Sequence, residues 1–328
     1  MAVAHQGSSL GEEPRPTCTR GDVSEGSTRA RLNASPPRRG LLPALIATTR
    51  PRQWIKNVLV IAAAGAAGAL GHDDVPVRVA LTFVAFCLLA SGIYAINDVR
   101  DAREDRAHPR KRFRPVAAGE LDPRGAAVFG IVLMAVGLAL CGAVRPLLAL
   151  VGAGYVALTL SYTLIWRDII VLDVVAIAAG FVLRAIAGGV APPVTLSRWF
   201  VLVVTCGALF IAAGKRLAEL RRAGGTTEGG RRVLGGYTPS TLTLLLSGSL
   251  ALTACAYCVW AFQMPDSIGI PWRPLTIVPF VACLGRYLFR VQRGEGEAPE
   301  DLVLTDRALL LSGIVWAVLF GLSVHAAG

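Results

Sequence analysis

Apolar stretches long enough to cross a lipid bilayer recur along this 328-residue chain, and that recurrence decides the fold class before any motif is read. The hydrocarbon core of a bilayer, about 30 Å thick, takes about 20 apolar residues as a helix. A spanning segment must also satisfy every backbone N–H and C=O internally, so repeated runs of this length imply a bundle of helices. Nine runs are expected, at 54–70, 79–97, 125–143, 146–165, 169–189, 199–214, 241–262, 274–290 and 308–326, the first being short and rich in Ala and Gly. A composition that is 54% hydrophobic, with a mean hydropathy of +0.55, fits an all-α polytopic membrane protein and not a soluble domain.

Residues 1–40 differ in kind: polar, rich in Arg, Pro, Gly and Ser, with no apolar segment of the sort a secretory signal carries. They are expected to form a disordered cytosolic tail, leaving 41–328 as the membrane domain. The net charge of +11 is unevenly spread. With the tail inside, Arg100, Arg103, Arg106, Arg110, Lys111, Arg112, Arg114 and Arg124 fall on the cytosolic side. So do Lys215, Arg216, Arg221, Arg222, Arg231, Arg232, Arg293 and Arg307, whereas the opposite connectors carry only Arg78, Arg145, Arg198 and Arg273. Basic residues accumulate in cytoplasmic loops, so the excess reads as topology in a cell (plasma) membrane, not as nucleic-acid binding. Six of the seven cysteines lie in or beside apolar runs, and Cys255-Ala-Tyr-Cys258 has no second pair or nearby histidine, so packed thiols are expected in place of a metal or disulfide framework.

Chemistry concentrates in Asn97-Asp98-Val99-Arg100-Asp101-Ala102-Arg103-Glu104-Asp105, after the second apolar run and directly beyond Tyr94. On a continuing helix, Asn97, Asp98, Asp101 and Asp105 share a face. Carboxylates held together need a cation between them. An oxygen-only donor set suits Mg²⁺, which takes one or two carboxylates and completes its shell with substrate phosphates. The following Lys111-Arg112-Phe113-Arg114-Pro115 forms a shaped basic loop in which Arg can grip phosphate through paired hydrogen bonds. Gly214-Lys215-Arg216-Leu217-Ala218-Glu219 sets two further bases at a membrane edge. Asp173 and Arg184 interrupt the fifth run, where ionisable groups face the protein interior or a polar cavity. Lys56, beside the interfacial Trp54, is a further candidate for a lipid phosphate, and Tyr94 and Tyr162 are candidate substrate contacts.

Asn97-Asp98-x-x-Asp101-x-x-x-Asp105 after a second transmembrane helix resembles the first acidic motif of the UbiA superfamily of intramembrane prenyltransferases. That resemblance covers about 41–328. It implies nine helices around a central cavity open to the cytosol and laterally to lipid, with Mg²⁺ and a diphosphate at the cytosolic mouth. One departure matters: the second acidic motif expected after the sixth helix is replaced by basic Gly214-Lys215-Arg216. Several segments are similar instead to the phosphoribosyl-transferring branch of the family. They are Arg50-Pro51-Arg52-Gln53-Trp54-x-Lys56-Asn57, His108-Pro109-x-Lys111-Arg112-Phe113-Arg114-Pro115, Arg184-Ala185-x-Ala187-Gly188-Gly189 and Glu297-x-Pro299-Glu300-Asp301 with Asp306-Arg307.

The resemblance implies transfer of 5-phosphoribose from phosphoribosyl diphosphate (PRPP) to a polyprenyl phosphate such as decaprenyl phosphate, releasing diphosphate, toward cell-wall arabinan (arabinogalactan). Asn97, Asp98, Asp101 and Asp105 would then hold Mg²⁺, with Lys111, Arg112 and Arg114 on phosphoryl oxygens. Asp105 or Asp173 would face the ribose as positive charge develops, and Lys56, Arg184, Lys215 and Arg216 would steer phosphates. Two other readings stand beside it: a UbiA-type aromatic prenyltransferase using a polyprenyl diphosphate, and a transporter, against which the clustering of acids at one membrane face speaks. Polyprenyl length and any homo-oligomer are left open.

Overall fold

The computed structural model describes residues 39–72, 74–109, 111–166, 169–222, 237–263, 271–296 and 298–325. The expected tail lies almost wholly outside the described residues, as do Arg110, Arg231, Arg232 and Glu297. The described chain is helical throughout, without a strand. Its helices are α1 (Leu41–Thr49), α2 (Val58–Ala66), α3 (Val75–Ala107), α4 (Pro123–Val144), α5 (Pro146–Ser161), α6 (Ile170–Val190), α7 (Arg198–Arg222) and α8 (Pro239–Gln263). They are followed by α9 (Trp272–Leu275), α10 (Ile277–Gln292), α11 (Pro299–Thr305) and α12 (Arg307–His325). Eight described helices are long and apolar enough to cross a membrane, counting α5 with its terminal π turn Tyr162–Trp166 and α9 with α10.

The first expected run differs from the other eight. Residues 54–70 begin in a 3₁₀ segment, Pro51–Asn57, and continue as α2, only 9 residues long. At 1.5 Å per residue α2 reaches about 14 Å, less than half a hydrocarbon core. The break has a local cause. Arg50 ends α1 in the left-handed region, φ 50°, and Pro51 follows with no N–H to continue the helix. Among the described residues Arg50 is the one non-glycine with positive φ. A backbone conformation this unfavourable persists where surrounding contacts hold it.

At 33 residues, about 50 Å, α3 is longer than a bilayer core. Its last turns therefore carry the acidic motif beyond the apolar span as continuous helix. Close packing seats it: a Cβ on Gly92 would lie 2.5 Å from the Gly130 carbonyl oxygen of α4, and one on Gly130 2.8 Å from that of Gly92. The α3–α4 crossing is therefore backbone against backbone, the use small residues have in lipid. The same holds where α6 meets α2, since a Cβ on Gly188 would fall 2.1 Å from the Val60 carbonyl oxygen. Phe86, Leu89 and Ile93 of α3 pack with Tyr155 of α5 in one core; Phe210 and Leu217 of α7 with Tyr287 of α10 anchor another. Asp122 caps α4, accepting from the Arg124 and Gly125 N–H groups at 3.0 Å with Pro123 at the first helical position. That cap fixes where the basic loop ends and the membrane helix resumes. The six cysteines among the described residues are free, and Cys87, Cys141 and Cys206 are buried.

Candidate active site

Two turns of α3 supply the acids. Asp98 and Asp105 are buried, and both are met by arginines from other elements. Arg50 pairs with Asp98 Oδ1 and sets its guanidinium 4.9 Å over the Tyr94 ring. Arg114, from the loop, lies 2.6 Å from Asp105 Oδ2 and 3.5 Å from Asp98 Oδ1. The loop arginine thus spans two acids seven residues apart on one helix face. Lys111 and Arg112 belong to a short 3₁₀ turn beside it, where Arg112 stacks on Phe113 at 4.9 Å. Of the expected basic trio, Arg114 is the one in ion-pair contact with the acids Asp98 and Asp105.

The donor chemistry fits a hard cation. Asn97 Oδ1 is buried and has no hydrogen-bond partner, an oxygen left open next to the Asp98 carboxylate in sequence. Among the described residues no three acidic, histidine or cysteine side chains converge to ligate an ion by themselves. Mg²⁺ does not require that, because it retains waters and draws ligands from substrate phosphates. Asn97, Asp98 and half-buried Asp101 are the residues that would hold it.

A second network lies fully inside the bundle. Arg216 of α7 is wholly buried and grips Asp173 of α6 through two hydrogen bonds, one at 2.6 Å to Oδ1; it also pairs with Glu219. The Tyr162 hydroxyl donates to Asp173 Oδ1 at 2.6 Å. Asp173, Tyr162 and Arg216 therefore come together as expected candidates, but they satisfy one another, and neither Asp173 nor Arg216 turns a free charge toward a substrate.

The third group surrounds Lys56. Its ammonium is 3.3 Å from Glu300 Oε2 of α11, and Gln53 Nε2 donates to Glu300 Oε1 at 2.5 Å. Burial alone would push the Glu300 carboxyl up; the Lys56 charge, the Gln53 hydrogen bond and Lys215 outweigh it and hold it below the ordinary carboxylate range. Behind Lys56, the buried Arg184 donates to Asn57 Oδ1 at 2.7 Å, the Gly180 carbonyl at 2.8 Å and the Tyr155 hydroxyl at 2.6 Å. Its guanidinium also lies 4.6 Å over the Tyr155 ring. Arg50, Gln53, Asn57, Tyr155 and Glu300 are site members that residue-by-residue sequence reading did not single out. The signal for them lay in the motifs: Arg50, Gln53 and Asn57 fall in Arg50-Pro51-Arg52-Gln53-Trp54-x-Lys56-Asn57 and Glu300 in Glu297-x-Pro299-Glu300-Asp301, whereas Tyr155 falls in neither.

The chain matches the UbiA prenyltransferase family over residues 58–323. It is 39% identical over 316 residues to a decaprenyl-phosphate phosphoribosyltransferase of Mycolicibacterium smegmatis, covering 93% of this chain and 99% of that protein. It is 38% identical over 296 residues to one of Corynebacterium glutamicum, covering 88% and 89%. Among solved structures, a UbiA homolog from Archaeoglobus fulgidus bound to GPP and Mg²⁺ superposes with a TM-score of 0.66 at 19% identity, over 86% of this chain and 99% of that one. At that identity the structural likeness speaks for the fold alone.

Proposed function

The chain belongs to the UbiA prenyltransferase family, and from that premise we propose that it transfers 5-phosphoribose from PRPP to a polyprenyl phosphate, releasing diphosphate. The observation that carries the reading is charge: Arg50 and Arg114, from two separate segments, meet the acidic end of α3, and Lys56 and Arg184 add two further cations along the same 3₁₀ segment that follows Arg50. A reaction between two phosphate-bearing substrates calls for that surplus. The near full-length identity to phosphoribosyltransferases supports the donor, as does the basic Gly214-Lys215-Arg216 in place of a second acidic motif.

In the proposed reaction an oxygen of the lipid phosphate attacks C1 of the ribose. The new C1–O bond forms as the bond from C1 to the diphosphate oxygen breaks, and the bonding pair leaves with the diphosphate. The nucleophile is already ionised at neutral pH, so no general base is needed, consistent with four scattered histidines. Mg²⁺ on Asn97, Asp98 and Asp101 would supply charge neutralisation to the leaving diphosphate. Arg50 and Arg114, which neutralise Asp98 and Asp105, keep part of their side chains exposed and would turn to phosphoryl oxygens. Asp105, released from Arg114, would face the developing positive charge on the ribose. Arg216 and Asp173 act as positioning residues that fix α6 against α7. Lys56 and Arg184 are assigned to a phosphate deeper along the 3₁₀ segment. The loop charges support a cytosolic N-terminus and a site opening to the cytosol and sideways to lipid in the cell membrane, where the product would serve as a precursor of cell-wall arabinan.

The test offers the purified chain labelled PRPP with polyprenyl phosphate and Mg²⁺, and, in parallel, labelled polyprenyl diphosphate with an aromatic acceptor. Label passing from the sugar donor into lipid, lost on chelation, is the expected result. Prenylation of the aromatic compound without sugar transfer would overturn the proposal.

A further inference from the structure

Glu300 reaches across 247 positions of sequence to the 3₁₀ segment, where Gln53 and Lys56 hold it. Gln53 Oε1 in turn accepts from Lys56 Nζ, so the amide fixes ammonium and carboxylate together. Glu300 Oε2, although buried, makes no hydrogen bond. The surrounding charge does not balance. Arg184 brings a second cation to the segment that carries Lys56, bonding Asn57 at its end. Yet the Arg184 guanidinium is met only by neutral oxygens, with no ion pair to a carboxylate among the described residues. Lys56 and Arg184, two cations on one segment, thus share a single carboxylate, that of Glu300. Buried surplus charge of one sign is costly unless a counter-ion is due to arrive.

Access exists: an open groove lined by Arg50, Pro51, Arg52, Gln53 and Asp301 adjoins the pair. Arg50 lines that groove, pairs with Asp98 and lies 4.9 Å over the Tyr94 ring, so the groove adjoins the Asp98 cluster as well. Seven-residue α11 is a small body to displace.

We infer that Glu300 is a resident anion occupying the seat of a substrate phosphate, a second phosphate subsite built by Lys56 and Arg184 beside the Asp98 cluster. An arriving phosphate monoester, with more charge and more oxygens than a carboxylate, takes the cations and turns Glu300 out toward the groove. The phosphate is either that of the lipid acceptor or the 5-phosphate of the sugar donor. Their identity rests on the proposed transfer reaction; the existence of the subsite does not.

Glu300→Gln in the full chain removes the competing charge and keeps the shape. KM for one of the two substrates should fall at least threefold while the other changes less than twofold, and the substrate that responds identifies the phosphate. Lys56→Met should raise that same KM tenfold or more. If Glu300→Gln does not fold, Gln53→Ala, which loosens the same carboxylate, carries the same expectation. KM unchanged or raised for both substrates would overturn the subsite. A second reading is independent of turnover: inorganic phosphate alone should raise the unfolding temperature of Glu300→Gln more than that of the wild type. Equal stabilisation contradicts the subsite. A wild type that transfers no sugar yet keeps that difference would retire the proposed reaction and leave the subsite standing.

Discussion

Two acid–arginine clusters among the described residues, one at the end of α3 and one between α6 and α7, differ in what surrounds them. At the end of α3, Asp98 and Asp105 are buried but their partners Arg50 and Arg114 keep 23% and 26% of their side-chain surface exposed. Between α6 and α7, Asp173 and Arg216 are both at 0%. The first pair of arginines can exchange a carboxylate for a phosphate without leaving water behind entirely. Arg216 cannot move without stranding a charge in the apolar interior. Exposure of the cation, more than the presence of an acid–base pair, separates a site poised for a ligand from one that holds helices in place.

That contrast can be broken by substitution. Asp98→Asn should lower turnover by at least about 10²-fold, the scale of losing one electrostatic contributor to a transition state. Its unfolding temperature in detergent should stay near that of the wild type, because the freed arginines reach water; a collapse of folding with Asp98→Asn would erase the distinction. Arg216→Met should do the opposite and cost about 3–5 kcal/mol of stability, the usual penalty for stranding a buried partner. Adding Asp173→Asn to it should recover part of that loss, as measured by thermal unfolding of the single and double variants; additive losses would contradict the network. Arg114→Lys keeps the charge but loses the two-pronged grip, so KM for PRPP should rise about tenfold with a smaller change in kcat.

The smallest effect concerns pH. The Glu300 carboxyl is held below its unfolded value of about 4.3, so its contribution is fully present above that pH and is lost as pH falls through the depressed folded value. Wild-type stability should therefore fall on acidification below the unfolded value, and Glu300→Gln should lack that component. Equal acid sensitivity of the two proteins would remove the ionised latch.

What sequence conveyed and what it withheld follow from distance along the chain. The spans were legible because hydropathy is local, and the over-long α3 was legible because its acids keep a helical spacing past the apolar run. The membrane-edge bases could be counted but not paired. Nothing near Arg50 announces Asp98, nothing near Gln53 announces Glu300, and Tyr155 reads as one more aromatic residue in an apolar helix until Arg184 is seen lying over it. The short helices α1 and α11 were invisible to hydropathy because each is too brief to register as a span. By its place at a membrane edge Arg216 has the look of a phosphate clamp; its burial depends on α6 presenting Asp173 from a different span.

The account stands or falls on the lipid product. With PRPP, polyprenyl phosphate and Mg²⁺, mass spectrometry of the lipid fraction should find the acceptor enlarged by one phosphoribosyl group, with one diphosphate released for each lipid converted. An unaltered lipid fraction, or diphosphate released with no matching lipid product, would contradict it.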